Sequence, residues 1–167
     1  MEALRQGRQA ELWQALIQEG AASSGVTLDE HEESYLGFVL IRHLRDEQLG
    51  ARTVATDWLQ AFDEIGQVRA DALRDVGDRC LLIAGLFPRL ADRRRVSPDY
   101  FVALGRGAYA GVAACTRSSY ADLFAQLARA FRPLVQVLAA MRAAPKLTSL
   151  QFHLGDGSEA CLPRSGH

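Results

Sequence analysis

An arginine-rich turn has the clearest potential for binding chemistry in this sequence. It holds three consecutive cations: Arg93, Arg94 and Arg95. They come just before Ser97-Pro98, which predicts a helix start with an N-cap serine and a proline at the first helical position. A helix N-terminus presents free N–H groups and arginine adds a planar fork of donors, so the turn predicts a site for phosphate or carboxylate. Four further side chains join this site if the neighbouring helices pack there: Arg79, Tyr100, Arg106 and Tyr109. The alternative is a solvated turn, or arginines paired with acids: Asp75, Asp78 and Asp92.

Acidic residues at helical spacing raise the question of a metal site. Glu30 and Glu33 lie three apart, and a second set follows at spacings of four and three: Asp71, Asp75 and Asp78. Paired carboxylates of this kind can hold Mg²⁺, and the pattern loosely resembles the all-α nucleoside triphosphate pyrophosphatases. The second pair begins with Asp rather than Glu, however, and the two pairs stand further apart than in that family. Solvated acidic faces paired with arginines are the favoured interpretation, and no metal or other cofactor is predicted.

No catalytic constellation stands out. A ferritin-like centre needs Glu-x-x-His, but leucines precede both candidates, His31 and His43, by three positions. The three cysteines, Cys80, Cys115 and Cys161, form no CxxC pair and predict reduced thiols of a cytoplasmic protein. Nucleophile-elbow, Walker and HExxH motifs are absent, so no catalytic residue is predicted.

Small residues recur at a spacing of four on the helix that begins at Pro98: Ala103, Gly107 and Gly111. Glycine costs about 1 kcal/mol relative to alanine inside a helix, so two of them on one face suggest a packing role. By analogy with tight helix crossings, they predict a groove that another helix approaches closely. That helix belongs either to the same chain or to a second copy.

Hydrophobic periodicity predicts an all-α, single-domain bundle of about six helices over residues 1–145. The helices are expected at residues 2–19, 27–48, 54–65, 67–85, 98–115 and 118–141, with a kink or split at Pro133. Gly20 should end the first helix, and Thr27 with Glu30 should form a capping box for the second. The second helix should be deeply buried around Tyr35–Ile41. Residues 146–167 are expected to form a C-terminal tail packed on the bundle, either extended or hairpin-like.

A set of large apolar residues is predicted to form the core: Phe38, Trp58, Phe62, Leu82, Phe101, Leu123, Leu127 and Phe131. The net charge of −1 provides no overall basic field, so nucleic acid is not an expected partner. No apolar run approaches the roughly 20 residues that a membrane-spanning helix needs, and the N-terminus lacks the apolar stretch of a secretion signal. A membrane partner is therefore not expected either.

Two stretches, Gly77–Pro88 and Arg93–Tyr109, resemble a group of uncharacterised bacterial all-helical proteins. The resemblance implies a bacterial origin and a helical fold, and it transfers no activity. The leading hypothesis is a non-enzymatic helical adaptor or regulatory protein that binds a protein partner or self-associates as a homodimer. The competing hypothesis is a binder or hydrolase of a small phosphorylated or other anionic ligand that uses the arginine turn.

Overall fold

The computed structural model describes residues 2–43, 53–93 and 95–144. Eight α-helices and no strand occur within these ranges, which confirms the all-α prediction. They are α1 (Glu2–Ser24), α2 (Glu30–His43), α3 (Val54–Ala61), α4 (Gly66–Gly85), α5 (Pro88–Arg93), α6 (Pro98–Cys115), α7 (Ser118–Arg129) and α8 (Phe131–Arg142). The predicted tail at 146–167 lies outside the described residues. None of the helices described is long and apolar enough to cross a membrane.

Helix α4 is the centre of the bundle and packs against α2, α3, α5, α6 and α8. Its second half is buried without interruption from Val76 to Gly85, because neighbours surround it on every side. Glycine permits the closest of these approaches. A Cβ at Gly85 would lie 2.5 Å from the Leu138 Cβ, and one at Gly77 would lie 2.5 Å from a Tyr109 ring carbon. These glycines let α6 and α8 approach the α4 backbone.

Several predicted helix ends are confirmed. Pro88 separates α4 from α5, and the Ser97 hydroxyl accepts a hydrogen bond from the Asp99 N–H at the start of α6. The split near Pro133 occurs at Ala130, so that the proline is the third residue of α8. Its missing N–H is one of the donors that a first helical turn leaves unpaired in any case.

Two predicted boundaries in the first third of the chain are wrong. Helix α1 continues through Gly20 to Ser24, because Gly20 makes room for α8: a Cβ there would lie 2.7 Å from the Met141 Cγ. The capping box before α2 lies two residues later than expected. The Glu32 N–H donates to the Asp29 carboxylate, and the Asp29 N–H donates to the Glu32 carboxylate. The aspartate is the better hydrogen-bond acceptor for this cap, and the Glu32 N–H keeps its pKa below the usual range.

The predicted core is confirmed only in part. Four of its members are buried: Leu82, Phe101, Leu127 and Phe131. Trp58 and Leu123 are partly buried against them. Phe38 and Phe62 are exposed instead, so the expectation that the centre of α2 is buried all round is wrong. The face of α2 with Leu36, Val39, Leu40 and His43 turns inward, and Tyr35 packs beside it against the core.

Candidate functional site

A buried polar cluster joins three helices around the side chain of Asp78. Tyr35 on α2 and Tyr109 on α6 each donate a hydroxyl to Asp78 Oδ1, over 2.7 Å in both cases. The Nε2 atom of His43 lies 3.2 Å from Asp78 Oδ2. Since a carboxylate only accepts, Nε2 carries the proton in this contact. Asp78 itself is completely inaccessible to solvent.

The electrostatics of the cluster favour protonated tyrosines. Burial, reinforced by the nearby negative charge of Asp78, raises the pKa of Tyr109 well above its usual value. The same two causes raise the pKa of Tyr35. Both hydroxyls therefore remain donors at any physiological pH. The cluster is a cross-link between α2, α4 and α6, because its polar groups face one another and Asp78 is sealed from solvent.

The sequence analysis did not predict that Tyr35, His43, Asp78 and Tyr109 meet, although the sequence contains two signals of it. Tyr35 and His43 stand eight residues apart, which places them on the same face of α2. Asp78 interrupts the apolar stretch of α4, where a charged side chain requires partners. The sequence alone does not indicate which helix supplies those partners.

The neighbouring Arg79 is also held within the fold. Its Nη2 atom lies 2.6 Å from the Asp57 carboxylate on α3, and its Nε atom lies 3.0 Å from the Asp75 carboxylate. Its side chain is almost fully buried. The proposed pairing of an arginine with Asp75 is therefore observed, and Arg79 ties α3 to α4.

The predicted anion-site residues divide between the interior and the surface. Arg79 and Tyr109 are buried, whereas the other described members are exposed: Arg93, Arg95, Tyr100 and Arg106. Arg94 lies outside the described residues. A shallow groove of about 830 Å³ separates the start of α3 from the start of α6, and Arg95 and Tyr100 line it. The described members of the predicted site thus do not converge in one pocket, because α6 turns Tyr109 and Tyr100 in different directions.

The acidic set is dispersed in the same way. Asp78 faces its three donors, Asp75 faces Arg79, and Glu33 accepts a hydrogen bond from Gln18. Across the described ranges, no group of three or more His, Cys, Asp or Glu side chains has the arrangement to hold a metal ion. Cys80 is a free, buried thiol whose pKa burial raises to about 12.

The small-residue stripe is divided as well. Gly111 packs against Leu73 of α4, since a Cβ at Gly111 would lie 2.7 Å from Leu73 Cδ1. Ala103 and Gly107 are exposed, and no described atom of another helix lies within 4 Å of a Cβ at Gly107. A second glycine of α6, Gly105, is also closely approached, by Phe131 and Cys80. No described helix of this chain packs closely at Gly107, and its contact with another helix stays a prediction.

The turn between α3 and α4 exposes a concentrated set of large apolar side chains. This α3–α4 corner consists of Leu59, Phe62, Ile65 and Val68, which are 63%, 42%, 81% and 58% exposed. Singly scattered apolar residues are normal on a protein surface, whereas a concentrated patch is typical of interaction sites. Nothing in the sequence separated these residues from core positions, because they share the helical spacing of Trp58.

Comparison with known proteins adds no identity to this geometry. No protein-family model, no curated protein and no solved structure matches the chain.

Proposed function

We propose that this chain is a non-enzymatic helical adaptor that binds another protein through its α3–α4 corner. The observation that carries the proposal is the exposure of four large apolar side chains within residues 59–68. Fully burying such a side chain stabilises a structure by about 1.5–3 kcal/mol. Ile65 and Leu59, which are mostly exposed, would each contribute roughly 1–2 kcal/mol to an interface that covers them.

The corner is held in shape before any partner arrives. The Arg69 guanidinium donates to the carbonyl oxygens of Phe62 and Glu64, over 2.5 and 2.7 Å, and lies above the Phe62 ring. The Phe62 ring packs edge-on against Trp58, with 4.8 Å between their centroids. An ordered surface loses little conformational entropy on binding, so more of the burial free energy remains as affinity.

The cluster around Asp78 supports the same proposal, because Asp78, His43 and Tyr109 are buried. Its hydroxyls, imidazole and carboxylate satisfy one another inside the bundle. We propose a bacterial, cytoplasmic setting for the adaptor, in which the free thiols of Cys80 and Cys115 stay reduced.

Capture from a lysate of the source cells, followed by mass spectrometry, tests the adaptor proposal. The immobilised wild-type chain should retain a partner that the double variant Leu59→Asp/Ile65→Asp loses. The matched control Ala110→Asp/Ala114→Asp adds the same charge at two exposed positions of α6 and should retain the partner. Equal capture by the corner variant would refute the role of the corner.

The groove beside Arg95 and Tyr100 supports a second candidate, a binder of a small anionic ligand. A thermal-shift screen of phosphate-bearing metabolites at fixed ionic strength tests this candidate. A saturable stabilisation that Arg95→Ala abolishes would support it, at about 2.7 kcal/mol for a hundredfold excess over Kd. The absence of any saturable shift would leave only the adaptor proposal.

A further inference from the structure

The α3–α4 corner carries unpaired negative charge beside its apolar side chains. Asp63 and Glu64 occupy the turn between Phe62 and Ile65, and both are exposed. Neither carboxylate forms an ion pair or a side-chain hydrogen bond with a residue that the structure describes. They do not cap α4 either, since its N-cap residue is Ile65 and no side chain accepts a hydrogen bond there. Neither carboxylate therefore forms a side-chain contact with a described residue that would stabilise the fold.

A third carboxylate extends this charge along α4. Asp71 follows Val68 by three residues, on the same side of the helix, and its side chain is 52% exposed. Asp71 accepts a hydrogen bond from Gln67, and the Arg74 guanidinium lies 3.9 Å away. Asp63, Glu64 and Asp71 are called the acidic rim below.

The cation nearest the acidic rim along the chain is already engaged. Arg69 donates from its guanidinium to the Phe62 and Glu64 carbonyl oxygens and lies above the Phe62 ring, so this cation is used in holding the turn. Residues 59–74 thus present three carboxylates against two guanidinium groups, and the second of these, on Arg74, donates to the Tyr120 hydroxyl. The charge that an incoming surface meets at this corner is negative.

We infer that the occupant of the α3–α4 corner is a basic amphipathic segment of a partner protein, with apolar side chains over Leu59, Phe62, Ile65 and Val68 and lysines or arginines over the acidic rim. This inference rests on the proposed adaptor function and names the chemistry of its partner. Opposite charges around an apolar contact guide the encounter and select the partner. The same rim opposes the two other occupants of an apolar patch. It repels an anionic membrane surface, and it would face a second acidic rim in a symmetric dimer.

The test is a ¹⁵N-labelled HSQC titration of the full chain with two synthetic 14-residue amphipathic peptides. Both carry the same leucines, and the polar positions are lysine in one and glutamate in the other. The lysine peptide should shift amides of residues 59–71 saturably and bind at least tenfold more tightly than the glutamate peptide at low ionic strength. The difference should shrink in 0.5 M NaCl, because salt screens the exposed charges.

Variants separate the rim from the apolar contact. Asp63→Asn/Glu64→Gln should weaken binding of the lysine peptide several-fold and leave the glutamate peptide unaffected or slightly tighter. The matched control Asp92→Asn/Asp122→Asn removes the same charge at exposed positions elsewhere and should change neither affinity. Ile65→Ser should weaken both peptides, since it removes apolar area.

Four results overturn the inference. Equal binding of both peptides would show that the corner binds apolar segments without preferring a basic partner. Corner shifts on addition of phosphatidylglycerol vesicles that exceed those with phosphatidylcholine would assign the corner to membranes. Corner shifts on simple dilution of the chain would assign it to a second copy. If neither peptide perturbs the corner, the inference fails, and the capture experiment decides the adaptor function separately.

Discussion

Replacing Asp78 with alanine removes the acceptor that three buried donors share. The Tyr35 and Tyr109 hydroxyls each donate to Oδ1, and His43 contacts Oδ2. A hydrogen bond to a charged group contributes about 1.5–3 kcal/mol, so the two hydroxyls together predict a loss of about 3–6 kcal/mol in the free energy of unfolding. Domains are typically stable by about 5–15 kcal/mol, so this loss is a large fraction of the total.

Urea denaturation followed by far-UV circular dichroism at pH 7 measures this effect. With a slope of about 2 kcal/mol per molar urea, the midpoint of Asp78→Ala should fall by about 1.5–3 M. Asp78→Asn should be milder, because its carbonyl oxygen still accepts both hydroxyls as a neutral partner. Asp122→Ala, on an exposed face of α7, is the control and should stay within about 0.5 kcal/mol of the wild type.

A double variant distinguishes the cluster from a general packing defect. In the wild type, Tyr109→Phe should cost about 1.5–3 kcal/mol. In the Asp78→Ala background it should cost little or stabilise the fold, because it removes a hydroxyl that has already lost its acceptor. Strictly additive losses, or an Asp78→Ala variant as stable as Asp122→Ala, would refute the assignment of Asp78 as the shared acceptor.

Three further predictions follow from the same packing. Between pH 10 and 12 the free energy of unfolding should fall by about 1.4 kcal/mol per pH unit for each of Tyr35 and Tyr109, because the unfolded tyrosines lose protons that the folded ones, with their raised pKa, retain. Urea midpoints measured across this range should fall less steeply with pH in Tyr109→Phe than in the wild type. Gly105→Ala should destabilise the fold by about 1–3 kcal/mol, because its Cβ would meet the Phe131 ring and Cys80. Gly107→Ala on the same helix should stabilise the fold by about 0.5–1 kcal/mol. Equal effects of the two variants in calorimetry would contradict the packing described. Ser97→Ala should cost about 1 kcal/mol, and an unchanged melting temperature would mean that the cap at the start of α6 contributes nothing.

The local rules were most reliable where a residue acts on its own backbone. Pro88 and Pro133 lie in the first turns of α5 and α8, where the missing N–H of proline costs no hydrogen bond, and α6 begins at Ser97-Pro98. The same rules failed at Gly20, which looked like a stop signal. Its real role is to let α8 approach α1, and the chain from Gly20 to Met141 is far too long for local patterning to reveal that contact.

The candidate site was less predictable than the fold. The sequence analysis named Arg79, Asp78 and Tyr109 as candidate site residues for binding an anion or a metal ion. The structure turns all three inward, where Asp78 binds Tyr35 and Tyr109 and Arg79 binds Asp57. A charged residue in an apolar helix segment signals that a partner exists, but the partner is chosen by which helices become neighbours.

The sequence by itself determined the helical class and most helix boundaries. These properties follow from hydrophobic periodicity, proline positions and caps, which act over a few residues. Only the tertiary structure decided that Phe62 and Ile65 face solvent while Trp58 packs against the core. It also decided that Gly105 is a close contact of α6 and that Gly107 meets no described helix. Periodicity gives each helix an apolar side, but the number of neighbours that α3 and α6 acquire determines how much of that side is covered.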